Sequence, residues 1–224
     1  MSILRVGARV RATEAEGPGV RYALWLQGCS IRCPGCCNPH LFAPALGTSW
    51  SVADLLADIA SVRGAVQGLT CLGGEPFEQA APLADLARGV RHLGLSVMVF
   101  TGYTLGELRG FQDPGVHALL ATIDVLVDGR YDQARPETRR RWVGSANQGF
   151  HYLTDRYDPS IEVAPPGEPW RSVEITIGPA GRWTANGWPV LEPFPSRAER
   201  RGGATATGLT IPLRGPSGTP RGPG

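Results

Sequence analysis

Apolar and polar residues alternate along this chain in two rhythms, one suited to strands and one to helices. Residues 22–27 (Tyr-Ala-Leu-Trp-Leu-Gln) form a short apolar run ended by Gly28, which predicts a buried strand. Ser51-Val-Ala-Asp54 has the spacing of a capping box, and Val52, Leu55, Leu56, Ile59 and Val62 then recur at helical intervals. Residues 67–72 read as the next strand and end in Gly73-Gly74-Glu75-Pro76. A second helix carries Pro82 in its first turn and Leu83, Leu86, Val90 and Leu93 on its apolar face, with Gly94 as its stop. Residues 95–100 and 123–127 read as further strands. The first runs into Thr101-Gly-Tyr-Thr104, where a shorter helix starts, and the second into Asp128-Gly129. Residues 172–177 and 181–185 alternate like a β-hairpin about Gly178-Pro-Ala-Gly181.

Strands that alternate with helices predict an α/β fold with a parallel sheet and right-handed crossovers. Each segment with chemical character follows the end of a strand: residues 29–36, 73–76, 101–103 and 128. In parallel α/β architectures that edge binds ligands.

Length and composition narrow the picture. At 224 residues and 42% hydrophobic the chain can bury a core of its own, and one folded domain over residues 1–195 is expected. Residues 196–224 are rich in Arg, Gly, Pro and Thr, a composition that predicts a disordered basic tail. No apolar stretch approaches the roughly 20 residues of a membrane span, and the start lacks a signal-peptide core. A cytoplasmic location and no membrane partner are therefore expected, with the five cysteines metal-bound or free. The tail holds five arginines against one glutamate, so it carries +4 of the net +2 and leaves −2 to the body. That charge predicts no nucleic-acid partner for the body. There is no lysine, which excludes Schiff-base chemistry on a protein amine and a Walker A loop.

Cys29, Cys33 and Cys36 stand as C-x3-C-x2-C. Three close thiolates suit an iron–sulfur cubane with one iron left open, and they equally suit zinc completed by Cys37 or His40. The second C-x2-C pair of a zinc ribbon is absent, and His40, His92, His117 and His151 show no metal-ligand spacing. Cys71 lies within a predicted strand and reads as a buried apolar thiol; Cys37, next to a ligand, is left unliganded. Gly73–Pro76 suits a plain strand-to-helix turn, and it also exposes the backbone groups that an amino acid's ammonium and carboxylate need.

In combination these residues resemble the radical S-adenosylmethionine superfamily. The cysteine array followed by Gly73-Gly74-Glu75-Pro76 carries the likeness. Gly17-Pro-Gly-Val-Arg21 and Cys33-Pro-Gly-Cys-Cys-Asn-Pro39 narrow it to activases of glycyl radical enzymes. Phe100–Thr104, Asp124–Gly129 and Gly144–Gln148 resemble later blocks of the class III (anaerobic) ribonucleotide reductase activating proteins. The departures are Cys37, where the family usually has an aromatic or His, and the added basic tail.

The resemblance implies a partial (β/α) barrel of the radical SAM type, with a parallel sheet of about five or six strands, an N-terminal β-segment and a C-terminal β-hairpin. It implies a [4Fe–4S] cluster on Cys29, Cys33 and Cys36, with S-adenosylmethionine chelating the open iron. Asn38, Gly73, Gly74, Glu75, Pro76, Thr101, Tyr103, Asp128, Ser145 and Asn147 would form the cofactor side. Of these, the Gly73–Glu75 backbone would receive the amino group and Glu75 would hold its loop. The implied activity is reductive cleavage of S-adenosylmethionine to a 5′-deoxyadenosyl radical that installs a glycyl radical on a partner enzyme. A flavodoxin or ferredoxin would donate the electron, and no protein residue is needed as a catalytic base. The alternatives are a radical SAM enzyme acting on a small molecule or ribosomal peptide, and a non-enzymatic zinc or iron–sulfur protein.

Overall fold

The computed structural model describes residues 2–167, 172–177 and 183–187, all within one compact unit, Met1–Leu191. The expected tail, residues 196–224, lies outside the described residues. Strands β1 (Ile3–Thr13) and β2 (Arg21–Leu26) lead to β3 (Thr48–Ser51), helix α1 (Val52–Ser61) and β4 (Gly68–Gly73). Then come α2 (Ala80–His92), β5 (Ser96–Phe100), α3 (Leu105–Gly110), α4 (Pro114–Leu120), β6 (Val125–Asp128) and β7 (Gly149–Tyr152). Strands β8 (Val173–Ile177) and β9 (Trp183–Gly187) form a separate two-stranded sheet.

The main sheet has seven strands in the order β3-β1-β2-β4-β5-β6-β7. Its centre, β2-β4-β5-β6, is parallel, while β1, β3 and β7 join antiparallel. The α/β class, the N-terminal β-segment and the C-terminal hairpin are those expected. The parallel set has four strands, and β1, β3 and β7 extend it at both edges. Alternation decides which face each residue serves. Leu24, Leu69, Cys71, Val97, Val99 and Leu126 pack against Leu55, Ile59, Leu83, Leu86, Leu108 and Leu119 of the helices. Met98, Val125 and Val127 form a second cluster on the other face with Val143, flanked by Phe100, Phe150 and Tyr152. Helices thus cover one face of the parallel strands, as in a partial barrel.

Local signals behave as the sequence suggests. Ser51 Oγ accepts from the Asp54 amide at 3.0 Å to start α1, and Thr104 and Glu107 form a reciprocal capping box at α3. The 3-10 turn Pro76–Gln79 precedes α2. Helix α4 and strand β7 were not foreseen; α4 is one short turn-rich segment, capped by Asp113 Oδ1 accepting from Gly115 N at 2.7 Å.

The hairpin docks on the segment that follows β1 by polar contacts. Gly187 N donates to Glu16 Oε1 at 2.7 Å, Asn186 Nδ2 to Thr13 Oγ1 at 2.7 Å, and Glu14 N to Glu174 Oε1 at 2.7 Å. Burial pushes the Glu16 carboxyl up to about 7, against the lowering effect of Gly187 and Asn186. The folded state therefore holds this proton over a pH range where the unfolded chain releases it. Stability from Glu16 is full below about pH 4.5 and is lost as pH rises toward 7, by about 3 kcal/mol. Denaturant titrations across that range should show Glu16→Gln flattening its share of the pH dependence; an unchanged slope would refute the assignment.

Candidate cluster and cofactor site

The strand ends place the chemical segments side by side. In the parallel register Leu26 pairs with Gly73, and Phe100 with Val127. Cysteines 29–36 therefore leave the sheet beside the turn at Gly73, with residues 101–103 and 128 on the next two strands. The turn is locked onto the cysteine loop: Gly74 N donates to Leu26 O at 2.8 Å and Glu75 N to Gly28 O at 2.7 Å. Only glycine permits this approach. Gly73 has φ +104, and a Cβ on Gly74 would lie 2.2 Å from Gly28 O.

Glu75 is 1% exposed and binds the two neighbouring loops together. Its Oε1 accepts from Thr101 Oγ1 at 2.8 Å and from Phe77 N at 2.9 Å, and its Oε2 from Gly102 N at 2.9 Å. Burial raises its carboxyl to about 7 despite these donors. Pro76 is buried at the start of the 3-10 turn.

Cys29, Cys33 and Cys36 are each half-buried, Cys37 is exposed and Cys71 is buried. Burial raises the Cys29 thiol, opposed by the nearby backbone amides of Arg32 and Ile31. The Cys36 thiol is lowered to about 6, chiefly by a hydrogen bond from Cys37, whose own thiol is raised. Asn38 N donates to Cys36 Sγ at 3.4 Å. Amides aimed at sulfur stabilise the thiolate form that an iron–sulfur cluster requires, so the donor set fits that group. Among the described residues no three His, Cys, Asp or Glu side chains converge as around one metal ion; thiolates on separate corners of a cubane are spread wider. Cys71 is 0% exposed and burial pushes its thiol up to about 12, so it is an inert core residue.

The remaining candidates occupy different positions on the same edge. Thr101 is buried, and Tyr103 N donates to its Oγ1 at 3.1 Å. Tyr103 is half-buried, packed edge-on against Phe111 with centroids 5.1 Å apart. Asp128 Oδ2 accepts from Leu105 N at 2.6 Å and lies 2.8 Å from His151 Nε2. That imidazole contact lacks hydrogen-bond alignment. Ser145 is 0% exposed and its hydroxyl accepts from Asp132 N at 3.1 Å, bracing the loop that follows β6. Asn147 is exposed and donates from Nδ2 to Arg130 O at 2.7 Å.

Sequence reasoning missed three contributors. Gln79 bridges β1 and β2, accepting from Arg5 N at 2.7 Å and donating to Gln27 O at 3.0 Å. Glu78 Oε1 accepts from both Ser30 N and Ser30 Oγ at 2.6 Å. Arg130 pairs with Glu107 at 3.0 Å, sits 5.9 Å from the Tyr103 ring centroid and feels the charge of Cys33. Glu78 and Gln79 directly follow the Gly-Gly-Glu-Pro motif, and Arg130 follows Asp128-Gly129, so adjacency to a motif was the available signal.

Two outcomes follow from this geometry. Alanine at Cys29, Cys33 or Cys36 should abolish iron and sulfide binding after anaerobic reconstitution, whereas Cys71→Ala should retain both; zinc without sulfide in the parent would refute the cluster. Glu75→Ala leaves buried amides of Phe77 and Gly102 unpaired, at about 1–3 kcal/mol each. It should lower the unfolding midpoint and weaken S-adenosylmethionine binding while leaving the cysteines able to hold iron. Unchanged cofactor affinity would show that the turn does not serve the cofactor.

Comparison with known proteins identifies the family. Residues 15–151 match the family described as a 4Fe-4S single cluster domain. The chain is 34% identical over 146 residues to the anaerobic ribonucleoside-triphosphate reductase-activating protein of Vibrio cholerae, covering 62% of this chain and 92% of that protein. The protein of the same description from Escherichia coli K12 is 33% identical over 147 residues, with 62% and 92% covered. That of Enterobacteria phage T4 is 30% identical over 147 residues, with 62% and 88% covered. Matching nearly the whole length of such relatives, with its cysteine loop seated on the Gly73–Pro76 turn, this chain belongs to the 4Fe–4S family of anaerobic ribonucleoside-triphosphate reductase-activating proteins.

Proposed function

We propose that this protein is a radical SAM enzyme that installs a glycyl radical on an anaerobic ribonucleoside-triphosphate reductase. The observation that carries the reading is the junction of the Cys29–Cys36 loop with the Gly73–Pro76 turn through Glu75 N and Gly28 O. When bound, the cluster and S-adenosylmethionine supply one-electron reductive cleavage to methionine and a 5′-deoxyadenosyl radical, and so the power to abstract a glycine hydrogen. The chain's own residues position and shield this chemistry. Cys29, Cys33 and Cys36 hold the cluster, and the carbonyls at Gly73–Glu75 face the amino group. Glu75 and Thr101 keep the cofactor turn rigid, while Tyr103, Asp128, Ser145, Asn147 and Asn38 shape and brace the surrounding edge.

No side chain has to act as a general base, because the cofactor carries the bond-breaking step. Helices α1 to α4 pack on one face of the parallel strands, and the strand-end edge receives the glycine loop of a protein substrate. A flavodoxin or ferredoxin in the cytoplasm is the proposed electron donor. Among the described residues no helix is long and apolar enough to cross a membrane. Residues 196–224 are proposed as a basic appendage that takes no part in the folded site.

Reconstituted protein with dithionite and S-adenosylmethionine should release 5′-deoxyadenosine and methionine. With the reductase added, it should generate a glycyl radical signal by electron paramagnetic resonance. Truncation after residue 195 should leave cofactor cleavage unchanged and slow reductase activation only at low salt, where charge steering acts. Loss of cofactor cleavage on truncation would place the tail inside the site, and cleavage with no radical on the reductase would point to another substrate.

A further inference from the structure

Glu78 is exposed and lies outside the four-residue turn motif, yet its Oε1 takes two hydrogen bonds of 2.6 Å from Ser30, one from the amide and one from the hydroxyl. Ser30 directly follows the first cluster cysteine. Glu78 and Ser30 thus join the 3-10 turn to the cysteine loop at the strand-end edge. Immediately beyond, the loop passes through Arg32, which has φ +49. A left-handed non-glycine residue is strained and persists only where its surroundings hold it. The backbone of Ile31 and Arg32 in this turn also opposes the burial that raises the Cys29 thiol. The Glu78 carboxylate is one of two negative groups acting on Cys29, while Arg130 acts at the Cys33 end.

We propose that Glu78 is a positioning residue for the cluster. Acting through Ser30, it holds the strained first turn of the cysteine loop and with it the placement of Cys29, and its charge makes the cluster harder to reduce. The proposal rests on the iron–sulfur reading of the three cysteines. Glu78 adds a side-chain contact between the 3-10 turn Pro76–Gln79 and the cysteine loop to the backbone bond from Glu75 N to Gly28 O. The Glu75 side chain serves the loops of β4 and β5, whereas the Glu78 side chain serves the loop of β2.

The test uses the full chain, reconstituted anaerobically, as parent, Glu78→Ala and Glu78→Gln. Iron and sulfide are counted first, then the rate of iron release to a chelator and the midpoint potential from a redox titration followed by electron paramagnetic resonance. Glu78→Ala should release iron about tenfold faster, the low end for loss of a contact that supports a metal ligand. Glu78→Gln keeps an oxygen for Ser30, so its release rate should stay within about twofold of the parent. Its midpoint potential should move positive, because a negative charge beside the cluster has gone. Parent-like release and parent-like potentials in both variants would overturn the proposal. A parent without sulfide-containing cluster would overturn the functional reading, and the proposal with it, and is recognised from the parent's own metal analysis. Since Glu78 is exposed, circular dichroism should show both variants folded; if Glu78→Ala unfolds, the potential of Glu78→Gln decides alone.

Discussion

The carboxylate of Glu75 is held out of water between two strand-end loops, and the site depends on that placement. Removing an ionised carboxylate from water costs several kcal/mol, and the rise of its carboxyl to about 7 reflects that burial. Donors from Phe77, Thr101 and Gly102 offset the cost. The same residue's amide binds Gly28 O on the cysteine strand. Side chain and backbone of one residue thus tie together the loops after β2, β4 and β5. A shorter acid could not span this distance from the same backbone, and an amide would present a donor to a donor at one of the three contacts.

The opposite end of the parallel strands carries a complementary device. Arg21 is fully buried at the start of β2, and its guanidinium donates to Thr70 Oγ1, Ser96 Oγ and Leu69 O at 3.0, 2.6 and 2.7 Å. Tyr157 joins through its hydroxyl, 2.8 Å from Ser96 Oγ. These partners are neutral, so burial lowers the arginine's hold on its proton. The planar fork of five donors nevertheless satisfies acceptors on β4 and β5 at once, tying both to β2. Gly17 of the preceding loop lies against the Thr70 and Met98 side chains beside it, so near that a Cβ there would stand 3.0 Å from each. Arg21 therefore fastens the strand starts while Glu75 fastens the strand ends, and the sheet is pinned at both margins without a helix on its inner face.

Electrostatics around the cysteines are graded. Glu75 and Glu78 act on Cys29, a thiol raised by burial and lowered by two amides, whereas Arg130 stands at the Cys33 end. Cys36 is lowered to about 6 by its neighbour Cys37. Cys37, where related activases usually carry an aromatic or His, thus favours the thiolate of the adjacent Cys36. The loop after β6 completes the rim. Ser145 and Gln148 brace it from inside, with Gln148 Oε1 accepting from Gly144 N at 2.9 Å, and Gln133 presses against Gly35 of the cysteine loop.

The amino-acid sequence by itself marked the candidate cysteines, the glycine-rich turn, most of the strands and helices and the strand-end edge on which these segments meet. These are local properties: periodicity, glycine and proline punctuation, and thiol spacing are written in neighbouring residues. It also marked Cys71 as inert, since a lone cysteine in an apolar strand has no partner to recruit. Tertiary structure decided what depends on residues far apart in the chain. The strand count is one case, because β1, β3 and β7 form by pairing with distant strands. The division of labour between the Glu75 and Glu78 side chains is another: Glu75, the extended cap of the 3-10 turn, is buried among the loops after β4 and β5, while Glu78, inside that turn, is exposed against Ser30. Ser145 and Asn147 are two residues apart yet lie buried and exposed, a distinction set by packing against Asp132 and Arg130. Contacts across long sequence separations follow from how the sheet closes, and no local pattern encodes them.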